Sequence, residues 1–211
     1  KRIVVAAHGN SMRALVKYAP GSGNVELRSL PRPSAGPGQV LIEVAFAGVC
    51  GTDRSALEGH LTGLIPRTLG HEASGVIAEL GSGLQRSDLT IGDRVTFETD
   101  AYRCGTCRYC RREQYQRCPN RKGIGTTADG ALADALAMPE SAVHKLPDEV
   151  SLLAGALTEP LAISVHAVIE RSPSLAGEVV IVTGPGAIGA LTSAVATQVG
   201  ATTVLVGRSR H

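Results

Sequence analysis

The sequence predicts a mixed β and α/β fold: a compact β-barrel domain, followed by the beginning of a doubly wound domain. Two observations predict it. Between residues 12 and 150, short apolar runs such as VLIEVAFAGV and ASGVIAEL alternate with the turn signals GPG, GSG and IGD, which is typical of an all-β domain. After residue 178, an apolar strand, a glycine-rich turn, a helix and a second strand follow one another. This is the pattern of a parallel βαβ unit.

The first domain is expected to span residues 12–176. Residues 1–11 are expected to be a leader or extension, because the barrel pattern opens at Met12. After residue 151 the apolar positions change to a helical period, and Pro160 marks the start of a helix, where its missing N–H costs nothing.

The second domain is expected to open at residues 177–211. Its elements are a strand at 179–183, a helix near 187–199 and a strand at 203–206. Because one βαβ unit cannot cover its own sheet, we expect this domain to be truncated. We also expect little or no turnover from these 211 residues alone.

Composition excludes several classes of protein. A formal net charge of +2 creates no strong field for nucleic acid or for a membrane surface. The aromatic content is 3%, with no tryptophan, so a base-stacking platform is not expected. No apolar run reaches the roughly 18–20 residues of a membrane span, and no secretory leader opens the chain. We therefore expect a cytoplasmic protein that binds neither nucleic acid nor membrane.

Four of the five cysteines fall within fifteen residues, in the run CGTCRYCRREQYQRC. The spacing C-x2-C-x2-C-x7-C lets the thiolates converge on one tetrahedral zinc ion, and the neighbouring arginines balance part of the charge. With all four positions filled, such a site is structural. The lobe at 103–119 is therefore predicted to hold zinc on Cys104, Cys107, Cys110 and Cys118. Two disulfides, an iron–sulfur cluster and a nucleic-acid-binding zinc ribbon remain the alternatives.

The fifth cysteine has a different setting. Cys50 ends an apolar run in GVCGTD, and His71 and Glu72 lie in LGHEASGV. Each of these residues alone suggests a core or structural role. Together, a thiolate, an imidazole and a carboxylate are the ligand set of a catalytic zinc, which keeps one position open. Glu159, in LTEPLA, adds a second carboxylate that could approach the same ion.

The run GPGAIG satisfies G-x-G-x-x-G directly after a strand and at the start of a helix, the context that a dinucleotide site requires. The first glycine makes the turn, the second admits a pyrophosphate to the backbone, and the third allows the helix to pack on the strand. The predicted cofactor-binding residues here are Gly184, Gly186, Ala187, Ile188 and Gly189.

The end of the second strand lacks the acid of an NAD-preferring site. Gly207 stands where Asp or Glu would bind the ribose 2′-hydroxyl, and Arg208, Ser209 and Arg210 follow. A carboxylate would repel a 2′-phosphate, whereas arginine binds phosphate through paired hydrogen bonds. The sequence therefore favours NADP over NAD.

The order of these motifs resembles the medium-chain, zinc-dependent alcohol dehydrogenase superfamily from Met12 onward, and within it the polyol and threonine dehydrogenases. The resemblance implies a GroES-like catalytic domain, a Rossmann cofactor domain and two zinc ions per chain. It implies a small alcohol or carbonyl substrate and a homo-dimer or homo-tetramer when the protein is intact. It also implies a catalytic zinc on Cys50 and His71, with the carboxylate supplied by Glu72 or Glu159.

The same resemblance assigns roles around the zinc. Thr52 matches the hydroxyl that relays the substrate proton, and Asp53 is expected to bind the ring of His71 and fix its tautomer. One position departs from the pattern: Ser55 stands where polyol and threonine dehydrogenases often carry a histidine. The substrate and the direction of the reaction therefore stay open. A non-catalytic zinc module is the alternative function, and it would need only one metal.

Overall fold

A computed structural model describes residues 10–61 and 63–208 of the chain. These residues form two compact units, which divide between Ala156 and Leu157. The predicted domain boundary at residue 177 lies further along the chain. The positions differ because the helical segment after residue 157 packs within the second unit, where Val168 shares a core with Val195 and Ala196.

The first unit is built from two antiparallel sheets. One has three strands in the order β2-β1-β4, and the other has five in the order β7-β3-β5-β6-β8. Its strands are β1 (Ser11–Lys17), β2 (Val25–Pro31), β3 (Gln39–Ala47), β4 (Arg67–Thr68), β5 (Ala73–Leu80), β6 (Arg94–Phe97), β7 (Ala135–Pro139) and β8 (Val143–Lys145), and its helices are α1 (Gly51–Leu57) and α2 (Leu152–Gly155).

The core of the first unit lies on the five-stranded sheet. Ile42 on β3 pairs with Ile77 of β5 on one side and with Leu136 of β7 on the other. Ile42 and Ile77 are 0% exposed, and Leu136 is 5% exposed. Burying these branched apolar side chains stabilises the sheet through the hydrophobic effect. The loops that leave this sheet are therefore held at fixed positions.

The second unit has a helical segment followed by a strand, a helix and a second strand. Its elements are α3 (Thr158–Val165), which continues as a π-helical turn over His166–Glu170, then β9 (Val179–Thr183), α4 (Ala187–Gln198) and β10 (Thr202–Val206). β9 and β10 pair in parallel, from Val179 with Thr202 to Thr183 with Val206. Ile181 stays 66% exposed and Val204 46% exposed, so the strand pair presents uncovered apolar side chains, as expected for a βαβ unit alone.

The predicted elements are confirmed where their apolar pattern was strong. The run ASGVIAEL is β5, the predicted strand at 179–183 is β9, and the predicted helix near 187–199 is α4 within one residue. Pro160 lies in the first turn of α3. Among the helices described, none is both long enough and apolar enough to cross a membrane.

Truncation of Ile42 should measure how much the barrel core contributes. Because Ile42 is 0% exposed, Ile42→Ala should lower the free energy of unfolding by about 2–5 kcal/mol. Leu27→Ala is the control: Leu27 is 65% exposed on β2, and its truncation should change that free energy by less than about 0.5 kcal/mol. Urea unfolding of the zinc-loaded protein, followed by circular dichroism, compares them. Equal losses would contradict the assigned core.

Candidate metal centres and cofactor turn

A thiol, an imidazole and a carboxylate converge in the first unit, on Cys50, His71 and Glu72. We call this group the three-ligand site. One ligand atom from each residue lies within 4.8 Å of the others. The segments that carry them are bonded together, since Gly48 N donates to Glu72 O at 2.7 Å. The group that the sequence predicted is therefore assembled by the fold.

Gly48 makes room for the carboxylate of Glu72. A Cβ atom at residue 48 would lie 2.4 Å from Glu72 Oε2, a separation that real side chains do not reach. Gly48 is not among the residues predicted from the sequence. The sequence feature that could have indicated it is a glycine between the end of an apolar run and the candidate ligand Cys50. A glycine inside or at the end of a strand often marks a close approach of another group to the backbone.

The electrostatics of the site favour a cation. Burial raises the pKa of the Cys50 thiol above its ordinary value, hydrogen bonds from Thr52 lower it, and the negative charge of Glu72 raises it again. His71 is 6% exposed, and its Nδ1 atom has no hydrogen-bond partner among the described residues. A divalent ion would satisfy a buried nitrogen and neutralise a thiolate beside a carboxylate. The donor set therefore fits zinc.

Thr52 lies next to the predicted ligand. Its Oγ1 atom is 3.8 Å from Cys50 Sγ, at the start of α1. This position suits a hydroxyl that contacts a group bound at the same ion. Its role as a proton relay stays a prediction.

Asp53 has a different task from the one expected. Its Oδ2 atom accepts a hydrogen bond from Cys50 N at 2.9 Å, and its Oδ1 atom accepts one from Gly70 N at 2.9 Å. Within the described part of the chain it makes no hydrogen bond to the ring of His71. The expectation that Asp53 binds the histidine ring is therefore corrected: both oxygens are directed at backbone N–H groups instead.

Glu159 lies in the second unit, in the first turn of α3. Whether it or Glu72 binds the ion at rest stays a prediction. Of the two candidate carboxylates, Glu72 is the one that belongs to the three-ligand site within one unit.

Four sulfur atoms converge in the lobe at 103–119, which we call the four-cysteine site. All four cysteines are free, and their sulfur atoms lie within 4.8 Å of one another. Cys104 Sγ is 3.9 Å from Cys110 Sγ and 3.7 Å from Cys118 Sγ. A disulfide would bring two sulfurs to about 2.05 Å, whereas tetrahedral zinc at about 2.3 Å from each sulfur separates them by about 3.8 Å. The spacing fits a four-coordinate metal.

Backbone N–H groups point at two of these sulfurs. Cys107 N and Cys110 N donate to the sulfurs of Cys104 and Cys107, each at 3.4 Å. Hydrogen bonds from the Thr106 and Cys107 segment lower the pKa of the Cys104 thiol to about 6. Burial, followed by contacts with the Cys107 and Cys118 thiols, raises the pKa of Cys110 to about 12. Metal binding must therefore displace a tightly held proton from Cys110.

One arginine anchors this lobe to the barrel. Arg103 Nη1 pairs with Glu98 Oε2 at 3.0 Å, and its guanidinium stacks 3.8 Å from the centre of the Tyr115 ring. His144 Nε2 lies 3.1 Å from the other Glu98 oxygen. These contacts tie the root of the lobe to β6 and β8.

The glycine turn of the second unit has the form that its spacing predicted. Gly184 has φ +96°, and a Cβ atom at Gly189 would lie 1.9 Å from Gly184 O. Gly186 caps α4, and Ala187 and Ile188 begin that helix. The turn therefore needs glycine at its first position for the backbone angle and at its third for helix packing. Arg208 is exposed beyond β10, while Ser209 and Arg210 lie outside the described residues.

Fold and ligand groups together define a β-sheet protein with two candidate metal centres and a dinucleotide-type glycine turn. The alcohol dehydrogenase GroES-like domain family matches residues 36–148, which is more than half of the chain. The chain belongs to this family.

Known proteins that resemble the chain are dehydrogenases. A sorbitol dehydrogenase of Halalkalibacterium halodurans is 43% identical over 94% of this chain and 57% of its own length. A D-arabitol-phosphate dehydrogenase of Enterococcus avium is 39% identical over 93% of this chain and 56% of its own. The crystal structure of a candidate zinc-binding dehydrogenase from Sinorhizobium meliloti 1021, bound to NADP, matches with a TM-score of 0.85 and 33% identity, over 95% of this chain and 57% of that one. The chain thus spans little more than half the length of these relatives.

The thiol pKa values generate a prediction for the metal-free protein. Because the thiolate is the reactive form, alkylation of Cys104 by iodoacetamide should be half-maximal near pH 6. Alkylation of Cys50, whose pKa is raised above 9.0, should still increase at pH 9. Peptide mass spectrometry over a pH series measures both rates, and zinc-loaded protein is the control, in which Cys104 should be protected. Matching pH profiles for the two cysteines in the metal-free protein would contradict the assignment.

Proposed function

We propose that the chain is the catalytic part of a zinc-dependent, NAD(P)-linked dehydrogenase that acts on an alcohol or polyol. The reaction converts a secondary or primary alcohol and NAD(P)⁺ into the carbonyl compound, NAD(P)H and a proton. The observation that carries the proposal is the convergence of Cys50, His71 and Glu72 within 4.8 Å. Three protein ligands leave a fourth position for an exchangeable group, as catalytic zinc sites require.

The residues divide the work between holding the ion and moving the proton. Cys50, His71 and Glu72 would hold zinc, and Glu159 is the proposed alternative carboxylate. When bound, zinc supplies a Lewis acid that stabilises negative charge on the substrate oxygen. Thr52 would take the hydroxyl proton and pass it toward solvent, since its Oγ1 lies 3.8 Å from Cys50 Sγ. Asp53 keeps the backbone of the ligand loops in place through two hydrogen bonds of 2.9 Å.

A protein with the four-cysteine site alone would be a structural zinc module. That alternative leaves unexplained why a second set of three donors, with a buried and unpartnered imidazole nitrogen, is assembled in the same unit. We therefore propose two zinc ions per chain, one structural and one catalytic.

The metal content should separate these two functions. Purified protein should contain two zinc ions per chain by elemental analysis. Cys50→Ser should reduce the content to one and abolish oxidation of polyols by the full-length enzyme, because it removes a thiolate ligand. Cys107→Ser should also leave one zinc, through loss of the four-cysteine site. A wild-type content of one zinc that is unaffected by Cys50→Ser would refute the catalytic proposal.

We propose NADP as the preferred cofactor. Gly207 and Arg208 follow β10 where an acid would otherwise bind the ribose, and a structure similar to this chain was determined with NADP. An exposed guanidinium at that position can pair with a 2′-phosphate, while no carboxylate of its own strand end repels it.

Substitution of Arg208 tests the cofactor preference. In the full-length enzyme, Arg208→Ala should lower kcat/KM for NADPH by about 10–100-fold, the value of a charge-assisted hydrogen bond of about 1.5–3 kcal/mol. The value for NADH should change by less than about threefold, because NADH lacks the phosphate. Steady-state kinetics with both cofactors give the ratio. A wild-type enzyme that prefers NADH would overturn the proposal.

The substrate is proposed to be a polyol, since two relatives of the chain are named for sorbitol and for D-arabitol phosphate. We propose a cytoplasmic homo-dimer or homo-tetramer for the intact protein. The free thiols at sulfur separations of 3.7 and 3.9 Å support a reducing compartment, where clustered cysteines hold metal. Light scattering of the full-length protein measures the assembly.

A further inference from the structure

A fully buried arginine lies beside the three-ligand site without a direct ion pair. Arg67, on β4, is 1% exposed. Its Nε atom donates to Gly125 O at 2.9 Å and its Nη1 atom to Leu64 O at 2.7 Å. Its Nη2 atom has no partner among the described residues. A buried charge is costly unless another charge compensates it, so the position needs an electrostatic explanation.

Asp53 supplies the compensating charge. Burial lowers the pKa of Arg67, and the negative charge of Asp53 opposes that change by raising it. Asp53 is itself only 4% exposed. The two groups form no ion pair within 4.0 Å in the part of the chain described here, so they act on each other through the field, which is strong in a water-poor interior. The negative charge of Asp53 therefore offsets part of the cost of burying Arg67.

The contacts of Arg67 lead back to the ligand loops. Gly125, whose carbonyl accepts from Arg67, has φ +72°, and a Cβ atom there would lie 2.6 Å from Gly70 O. Gly70 in turn donates its N–H to Asp53 and directly precedes His71. One contiguous chain of contacts thus runs from the Arg67 guanidinium through the backbones of Gly125 and Gly70 to the Asp53 carboxylate. It ends next to two of the three ligands, Cys50 and His71.

We propose that Arg67 is a positioning residue for the ion of the three-ligand site. Its guanidinium holds the Gly125 backbone, which packs against Gly70. The Asp53 carboxylate, whose charge offsets that of Arg67, fixes the backbone at Cys50 and at Gly70, the neighbour of His71. The spacing between the thiolate and the imidazole therefore depends on a guanidinium that contacts neither. This inference rests on the proposed function only in requiring that the three-ligand site binds a divalent ion.

The test measures ion affinity without turnover. The four-cysteine site is first loaded with zinc, and Co²⁺ is then titrated into the three-ligand site against a chelator. Absorption from the Cys50 thiolate bound to Co²⁺ reports occupancy of that site. Far-UV circular dichroism, compared with that of the wild type, reports that the first unit stays folded.

Arg67→Met removes the charge and keeps an unbranched side chain. It should weaken Co²⁺ binding by about 10–100-fold, as loss of a group that orients metal ligands does. Arg94→Met is the matched control. Arg94 also donates to two backbone carbonyls, Val150 O at 2.7 Å and Pro147 O at 2.8 Å, but no described contact joins it to Asp53. Its Co²⁺ affinity should stay within about threefold of wild type, the scatter expected of a distant site. Equal affinity in wild type and Arg67→Met would overturn the proposal.

A double-mutant cycle separates positioning from general stability. If Arg67 acts through Asp53, then Arg67→Met should weaken Co²⁺ binding by no more than about twofold in an Asp53→Asn background. An undiminished effect in that background would show a merely structural arginine and refute the inference. If Arg67→Met does not fold, Arg67→Lys carries the test: it keeps the charge and should bind Co²⁺ within about threefold of wild type, and a loss as large as that of Asp53→Asn would overturn the proposal.

The outcome also distinguishes this inference from the proposed function. A wild-type protein that binds no Co²⁺ at the three-ligand site refutes both. A wild-type protein that binds Co²⁺ there, and whose affinity Arg67→Met does not change, leaves the function standing and refutes only the role of Arg67.

Discussion

The carboxylate of Asp53 is the interaction on which the three-ligand site depends. It accepts one hydrogen bond from the segment that carries Cys50 and one from the segment that carries His71, each at 2.9 Å. Hydrogen bonds to a charged group contribute about 1.5–3 kcal/mol each, and here the carboxylate is 4% exposed, so water does not compete for it. The strands bring the two loops into the same region, but the barrel alone does not set their separation. The Asp53 side chain, which bonds to both backbones, and the Gly48 N–H, which donates to Glu72 O at 2.7 Å, set it together.

The two metal centres differ in how their charge is balanced. The four-cysteine site offers four thiolates, and Arg103 at its root is itself paired with Glu98. Two of its cysteines, Cys110 and Cys118, are buried. The three-ligand site has a thiol whose pKa is raised by burial and by Glu72, next to a buried imidazole. A closed thiolate site therefore suits a permanent structural ion, while the mixed set of three donors suits an ion that exchanges its fourth ligand.

The sequence predicted best what is encoded over a short distance. The spacing of the cysteines from Cys104 to Cys118 brings four sulfurs together through local turns. The glycine turn at Gly184 is likewise determined by neighbouring residues. Both features could therefore be predicted from short segments of the sequence. The convergence of Cys50 and His71 depends on the whole barrel, and only the chemistry of the residue types pointed to it. The partners of Asp53 were predicted wrongly, because backbone N–H groups leave no trace in a sequence.

Burial of charge was the other feature that the sequence could not show. Lys17 and Arg67 are each 1% exposed, although such residues are rarely buried. Lys17 lies on β1, where the alternation of apolar and polar residues predicts which side chains face inward. Nothing in that pattern shows that the Lys17 ammonium group donates to the carbonyl of Gly23 at 2.6 Å. Arg67 likewise finds two carbonyls that only the folded loops supply. Both charges are compensated by backbone carbonyls that come within hydrogen-bond distance only after the chain folds.

The two centres should therefore depend on metal to different degrees, because different interactions build their scaffolds. Between Cys104 and Cys118 the chain forms only short 3₁₀ turns, at Cys110–Arg112 and Tyr115–Arg117, and buries little apolar surface apart from the cysteines themselves. With so little hydrophobic stabilisation, ligand binding adds much of the lobe's stability to that of the backbone hydrogen bonds that hold the thiols in place without metal. The three-ligand site instead stands at the ends of strands whose core side chains, such as Ile42 and Ile77, are 0% exposed. Its scaffold is stabilised by burial and by the Asp53 carboxylate, so its geometry is in place before an ion arrives.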